Sequence, residues 1–453
     1  MSSLMIGISG VRGIVGESLT PQLLVSLGMA FGTYVEGNPV VVGMDTRNSG
    51  EMVKHSVFSG LLSCGCEVID LGVCPTPTLS IGVKALGAAG GIMISASHNP
   101  IEWNALKFFG DDGVYLDADE GRQLLDIYYQ GGFQKARWNQ LKNVNDYDKA
   151  PEEHIRRVLG SVDAELIRSR KFKVAIDCCN GAGVEITQQF LARLGCELVT
   201  LNCEPDGYFP HNPEPSFVNL KDICRTTRVN DCELGFALDP DADRLAVIAH
   251  DGTYLGEEMT LALAADHVLS KNPGPVVMNL STTKTVEAVV AKHGCESIRV
   301  PVGEVNVSRK MAEVGSPIGG EGNGGVIDPR VLYGRDSLIG MALTLEMMAE
   351  RNKSVKEIVA TYPRFEMIKD KVSAPRTRAL RSIRQMMKEH SDENINTEDG
   401  LRIDYGDSWV HIRASNTEPI IRVVAEAESR QKAKELVEEM KLDVKRRLEE
   451  IEG

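Results

Sequence analysis

The sequence predicts an α/β protein: three similar α/β domains with mixed, mainly parallel sheets, followed by a smaller C-terminal α+β domain. Three observations carry this. Short apolar runs alternate with longer helical patterns through most of the chain. That rhythm restarts twice, at intervals of about a hundred residues, which suggests a repeated architecture without strong identity between the units. After Lys369 the pattern changes to a helix, a group of strands and a long charged helix.

In the first unit, 40–43, 66–71 and 91–95 read as buried strands, because they are short, apolar and β-branched. Between them 50–63 and 77–86 read as helices, and such a βαβ succession calls for a mainly parallel sheet covered on both faces. The second unit repeats it, with strands predicted at 173–177, 197–202 and 233–238 around helices at 183–194 and 219–229. The third places strands at 275–280 and 296–300 around a helix at 283–293. Each unit is expected to open on a strand and a polar turn. In the fourth, a helix at 377–390 precedes strands at 401–405, 409–413 and 420–427 and a helix at 429–451. The expected domains are 1–150, 151–255, 256–368 and 369–453, with Lys149-Ala150-Pro151 as the clearest linker candidate.

The bulk numbers fit this division, since 453 residues are too many for one hydrophobic core. A formal charge of -14 argues against a nucleic-acid or acidic-membrane binder. It leaves room for a small anionic substrate, because a local Lys/Arg cluster can hold a phosphate whatever the total. The 10 cysteines are dispersed without zinc or C-x-x-C spacing, as expected of reduced thiols in a cytoplasmic protein. No signal peptide and no membrane-length apolar run is read.

Four loops carry the chemistry. Gly91-Ile92-Met93-Ile94-Ser95-Ala96-Ser97-His98-Asn99-Pro100 runs an apolar strand into a turn closed by proline, placing Ser97 where parallel sheets bind ligands. It lacks the G-x-S-x-G elbow of the hydrolases and alone reads as an ordinary turn. Asp239-Pro240-Asp241-Ala242-Asp243-Arg244 follows the next apolar strand. Three carboxylates at alternate positions repel unless a cation sits among them, and oxygen-only ligands favour a hard ion such as Mg²⁺. The EF-hand reading fails for want of its glycine and final glutamate. Arg244 suits a phosphate or sugar hydroxyl, or serves as countercharge to the aspartates.

Ile318-Gly319-Gly320-Glu321-Gly322-Asn323-Gly324-Gly325-Val326 is a strand–turn–strand whose glycines admit a ligand close to the backbone. Its Glu321 and Asn323 offer partners for adjacent sugar hydroxyls. Near the C-terminus, Arg413-Ala414-Ser415-Asn416-Thr417-Glu418-Pro419 with Arg422 makes a cradle for a phosphate dianion without being a P-loop.

In this order, from Gly10-Val11-Arg12-Gly13 to Arg422, these segments resemble the α-D-phosphohexomutase family over essentially the whole chain. The resemblance implies four domains around a central cleft and a Ser97 that carries the transferred phosphoryl group. Asp239, Asp241 and Asp243 would hold Mg²⁺ together with a phosphoserine oxygen. Arg12 and Lys107 match the basic residues near that phosphate, and His98 the histidine beside the serine; either His98 or Lys107 would move the acceptor proton. Arg244, Glu321, Asn323, Arg413, Ser415, Asn416, Thr417 and Arg422 would bind substrate.

The implied reaction interconverts hexose 6-phosphate and hexose 1-phosphate through a bisphosphorylated sugar. The serine and phosphate loops look most like those acting on glucosamine phosphate. Phosphomannomutase/phosphoglucomutase activity is the alternative, and a metal-dependent sugar phosphatase the rival of another reaction class. The partner is a small sugar phosphate, without nucleic acid or membrane, and the protein a monomer or homodimer. The chain departs from the family pattern at Gly322 and Asn323, at Asn416 where many relatives have glycine, and at Gly303-Glu304 where phosphoglucomutase-like members tend to carry Gly-His.

Overall fold

The structure, a computed structural model, describes residues 4–7, 10–415 and 419–452. The first sheet has seven strands: β1 (Met5–Gly7), β2 (Gly10–Ile14), β3 (Val40–Met44), β4 (Val68–Val73), β5 (Gly90–Ile94), β6 (Trp103–Phe109) and β7 (Val144–Asp146). Their order is β1-β2-β6-β5-β3-β4-β7, with β3 parallel to both β4 and β5 and β6 antiparallel to β5 and β2. The second sheet comprises β8 (Lys173–Asp177), β9 (Glu197–Leu201), β10 (Leu234–Leu238) and β11 (Leu245–Ala249), in the order β11-β10-β8-β9. The third comprises β12 (Val276–Asn279), β13 (Ser297–Val300), β14 (Ile318–Glu321) and β15 (Gly325–Ile327), in the order β13-β12-β14-β15. Both are parallel except for an antiparallel edge strand, β11 or β15. The fourth is wholly antiparallel: β16 (Glu366–Ser373), β17 (Ile395–Asn396), β18 (Leu401–Asp404), β19 (Trp409–Ala414) and β20 (Ile420–Ala427), in the order β16-β20-β19-β18-β17.

The central strands form because they are apolar throughout: β3, β5, β8 and β10 are buried almost end to end, as strands covered on both faces must be. Helices follow their chemical punctuation. The helix Ala118–Gln130 begins with a capping box between Asp117 and Glu120 and ends at left-handed Gly131.

Two expectations are corrected. The second and third units open on helices, Ala150–Leu159 and Glu257–Lys271, rather than on strands. And Ala150-Pro151 begins a helix instead of forming a bare linker, because proline's fixed φ and missing N–H suit a helical first turn. Ala150 is itself buried against the first domain's apolar cluster.

The cores divide unevenly. One continuous apolar cluster runs from Ile155 and Phe172 through Phe236 and Leu261 to Leu345 and Tyr362, so the second and third units share a core. The C-terminal sheet has its own, around Ile383, Ile412, Ile421 and Val437.

Candidate active site

Ser97 lies three residues beyond β5 in a left-handed backbone conformation (φ 48°), only 3% exposed. A non-glycine residue there needs a reason, and a hydrogen-bonded frame supplies it. Arg47 donates to the carbonyls of Ser97 (2.7 Å), Asn99 (2.8 Å) and Pro100 (2.7 Å), and its Nε to Asp45 (3.1 Å). Asp45 accepts from Ser95 Oγ at 2.6 Å, and that oxygen accepts the Ser97 N–H at 2.9 Å. Phe209, from the second unit, packs on the Arg47 guanidinium. Sequence reading missed Asp45 and Arg47. Their signal was their place, immediately beyond the C-terminal end of β3 on the edge that also carries Ser97.

Asp239, Asp241 and Asp243 are all fully buried, so this loop is no solvated acidic turn. A carboxylate oxygen from each lies within 4.8 Å of the others. The seryl hydroxyl joins them, with Ser97 Oγ donating to Asp239 Oδ2 at 2.7 Å. The other Asp239 oxygen accepts the N–H groups of Asp243 and Arg244. Asp241 Oδ2 accepts from Lys107 Nζ (2.6 Å) and Thr76 Oγ1 (2.5 Å). Burial and the charges of Asp243 and Asp241 push the Asp239 carboxyl well above the usual range. At Asp241 burial acts the same way, but Lys107 and Thr76 outweigh it and hold that carboxyl far down.

Asp241 Oδ1 and Asp243 Oδ1 are buried and accept no hydrogen bond among the described residues. Unpartnered carboxylate oxygens in a dry site cost several kcal/mol unless charge is supplied, so this donor set fits a hard divalent cation.

Around this centre stand the predicted bases and cations. His98 Nδ1 is 3.3 Å from Ser97 Oγ. Burial, then the charges of Arg244, Arg12 and Arg422, hold its imidazole well below the usual range. Arg12, on β2, donates to the Asn99 side chain, and burial lowers its guanidinium to about 10. Arg244 Nε sits 3.8 Å from Asp243 and 4.0 Å from Asp239. It makes no hydrogen bond among the described residues.

The glycine-rich segment is the predicted strand–turn–strand, β14 and β15 about residues 322–324. Glu321 is more committed than its sequence suggests: it accepts from Asn279 Nδ2 (2.8 Å), Gly303 N (3.1 Å) and Arg335 (2.8 Å). Asn323 donates to Glu321 at 3.4 Å and accepts the Gly325 N–H. Arg335 also escaped the sequence reading, because a lone arginine in Tyr333-Gly334-Arg335-Asp336 carries no pattern.

In the C-terminal sheet, Arg413 and Arg422 are directly opposed across β19 and β20. Lys371 of β16 continues that row beyond Arg422. Like charges paired across strands repel, and Asp399 lies 3.9 Å from Arg413 as a countercharge. Burial lowers the Arg413 guanidinium, Asp399 and Glu321 raise it, and Arg422 opposes them. The action of Arg422 on His98 and of Glu321 on Arg413 places the four predicted segments within electrostatic reach of one another. Ser415, buried at the end of β19, accepts from Arg376 through its carbonyl. Asn416 and Thr417 lie outside the described residues.

The phosphoglucomutase/phosphomannomutase family matches domain by domain: its α/β/α domain I over residues 3–135, domain II over 152–252, domain III over 257–365 and C-terminal domain over 367–442. A probable phosphoglucosamine mutase of Methanopyrus kandleri is 38% identical over 452 residues, covering 98% of each chain. A phosphoglucomutase/phosphomannomutase of Thermococcus kodakarensis is 38% identical over 443 residues, covering 96% of this chain and 97% of that one. Among solved structures, a phosphoglucomutase/phosphomannomutase family protein of Burkholderia thailandensis superposes with a TM-score of 0.84 at 28% identity, over 98% of this chain and 97% of that one. No helix among the described residues is long and apolar enough to cross a membrane. The chain therefore belongs to the phosphoglucomutase/phosphomannomutase family of α-D-phosphohexomutases, whose members are isomerases.

Proposed function

We propose that this protein interconverts hexose 6-phosphate and hexose 1-phosphate through phosphorylated Ser97 and a bisphosphorylated sugar, with glucosamine phosphate as its substrate. The observation that carries the reading is Ser97 Oγ at 2.7 Å from Asp239, inside a buried triad of carboxylates, with a separate opposed pair of arginines on the C-terminal domain. A phosphatase would need the first arrangement and not the second. Relatives named phosphoglucosamine mutase support the substrate, while the Thermococcus protein's name keeps phosphomannomutase/phosphoglucomutase activity as the alternative.

Asp239, Asp241 and Asp243, with a phosphoserine oxygen, would hold Mg²⁺, which neutralises charge on the transferring group. The remaining work falls to the chain. Phosphoryl transfer needs an in-line acceptor and charge compensation, with little covalent help. A sugar hydroxyl attacks phosphorus as the bond to Ser97 Oγ breaks, and His98 or Lys107 would move its proton. Arg12 balances the equatorial oxygens. The bisphosphate then turns around, presents its other phosphate, and Ser97 Oγ takes that group back.

Throughout, Arg413, Ser415, Thr417 and Arg422, with Asn416 in the same turn, hold the non-reacting phosphate. Arg244, Glu321 and Asn323 hold the ring hydroxyls. The protein works on a small molecule in the cytoplasm, as a monomer or homodimer; ten unpaired thiols support a reducing compartment. Phosphorus NMR of the enzyme with glucosamine, N-acetylglucosamine, mannose, glucose and ribose phosphates tests the reading. Isomer should form fastest with glucosamine phosphate, and release of inorganic phosphate without isomer would overturn the mutase.

A further inference from the structure

Arg335 sits between the aspartate loop and the glycine-rich loop, and its guanidinium meets both. One terminal nitrogen donates to Asp243 Oδ2 at 2.5 Å, the other to Glu321 Oε2 at 2.8 Å, and Nε to Glu304 Oε2 at 2.9 Å. The Arg335 N–H donates to the second oxygen of Glu304, so this glutamate grips both ends of the residue. The side chain is only 9% exposed. Its stem lies on Gly325, where an added Cβ would come within 2.1 Å of Arg335 Cδ, so the loop's last glycine is bare because the arginine passes there.

The backbone of Arg335 is fixed as well. Asp336 caps the helix Ser337–Arg351 and shares a 2.9 Å hydrogen bond with His154, which shares another of 2.9 Å with Thr78. These partners come from all three α/β units. Asp243 meanwhile gives Arg335 one oxygen and leaves the other, Oδ1, buried and without a hydrogen bond among the described residues.

We propose that Arg335 is a positioning residue that couples the cation site to the sugar loop. By holding Asp243 Oδ2 it turns Oδ1 toward the ion, and by holding Glu321 with the opposite prong it sets the loop that receives the sugar. A carboxylate that ligates a cation must be oriented by its outer partners, and loss of such a partner typically costs 10–100-fold in affinity. A guanidinium does this at two carboxylates at once, because its fork is planar and rigid; an ammonium cannot. Occupancy at one end therefore favours occupancy at the other, and the effect is reciprocal.

This rests on the cation and sugar sites proposed above, so its test uses binding and not turnover. Mn²⁺ affinity is measured by electron paramagnetic resonance on the unphosphorylated protein, with and without glucosamine 6-phosphate. Sugar-phosphate affinity is measured by calorimetry with and without Mn²⁺. In the native protein each ligand should tighten the other about fivefold or more. Arg335→Met should weaken Mn²⁺ binding about 10–100-fold and abolish the mutual effect. Arg335→Lys, which serves one carboxylate at a time, should recover Mn²⁺ affinity in part and leave the mutual effect absent; it also covers the case in which Arg335→Met fails to fold. Unchanged Mn²⁺ affinity in Arg335→Met, or a mutual effect that survives in Arg335→Lys, would overturn the proposal. Failure of the native protein to bind either ligand would overturn the parent reading too, whereas binding of both without any mutual effect would sink this inference alone.

Discussion

The serine–aspartate centre and the arginine pair of the C-terminal sheet are built differently. At the first, buried hydrogen bonds cross from one unit to the next: Ser97 to Asp239, Lys107 and Thr76 to Asp241, Arg335 to Asp243. The second belongs to a domain with its own apolar core. Its seam with the third unit is polar. Ser281 meets His411 at 2.8 Å, the Lys284 N–H donates to Glu426 at 2.8 Å, the Val302 N–H to Asp399 at 3.1 Å, and Arg402 to the Leu280 carbonyl. Chemistry needs reacting atoms held closely, while one binding site for both ends of a sugar bisphosphate must accept two poses. In the proposed reaction, a centre tied across units opposite a separately folded domain would meet both demands.

Substitutions can break this contrast from either side. The largest effect is expected from Ser97→Ala: turnover should fall more than about a thousandfold with the fold retained, since it removes the atom that carries the group. On the cradle side, Arg413→Ala should cost roughly a hundredfold in kcat/KM, comparable to losing another charge-holding donor. Unlike the first variant, it should still accept a phosphoryl group on Ser97. Arg47→Met should lower kcat about 10–100-fold with little change in KM, because the serine loop loses its bonds to three carbonyls and reacting atoms drift. A KM effect alone would mean that Arg47 serves binding and not the nucleophile.

The smallest effect concerns the seam between the second and third units. Glu346 accepts from His267 (2.7 Å), the Asp163 N–H (3.0 Å) and Lys271 (3.1 Å). Burial opposes its ionisation, but those partners outweigh it and hold the carboxyl down to about 2. A depressed carboxyl stabilises fully above its unfolded value, near 4.5, and the contribution is lost as pH falls toward 2. Glu346→Gln should therefore cost about 2 kcal/mol at neutral pH and flatten the acid side of the stability profile. Urea titrations between pH 5 and pH 2 would show it; parallel profiles for the two proteins would contradict it.

Much of this was legible in the residues, for local reasons. The helix Gly50–Ser63 and the strand Ile420–Ala427 fall where periodicity and composition put them, and spacing alone marks the aspartate triplet as a group that could hold a cation. What escaped depends on distance along the chain. Arg335 meets partners 92, 31 and 14 positions away, and no local pattern marks it. Asp45 and Arg47 act on a loop about 50 residues later, visible only once β3 and β5 are known to lie side by side. The helical openings of the second and third units were missed because strand signals drew the boundaries, although Pro151 is well suited to a helical first turn.

The central claim is that Ser97 exchanges a phosphoryl group with the sugar. Enzyme labelled with radioactive phosphate on Ser97, mixed rapidly with unlabelled glucosamine 6-phosphate and quenched at intervals, tests this most directly. The label should leave Ser97, appear first in the sugar 1,6-bisphosphate, and then divide between enzyme and sugar monophosphates. Label released as inorganic phosphate, or retained on Ser97 while isomer accumulates, would contradict the account.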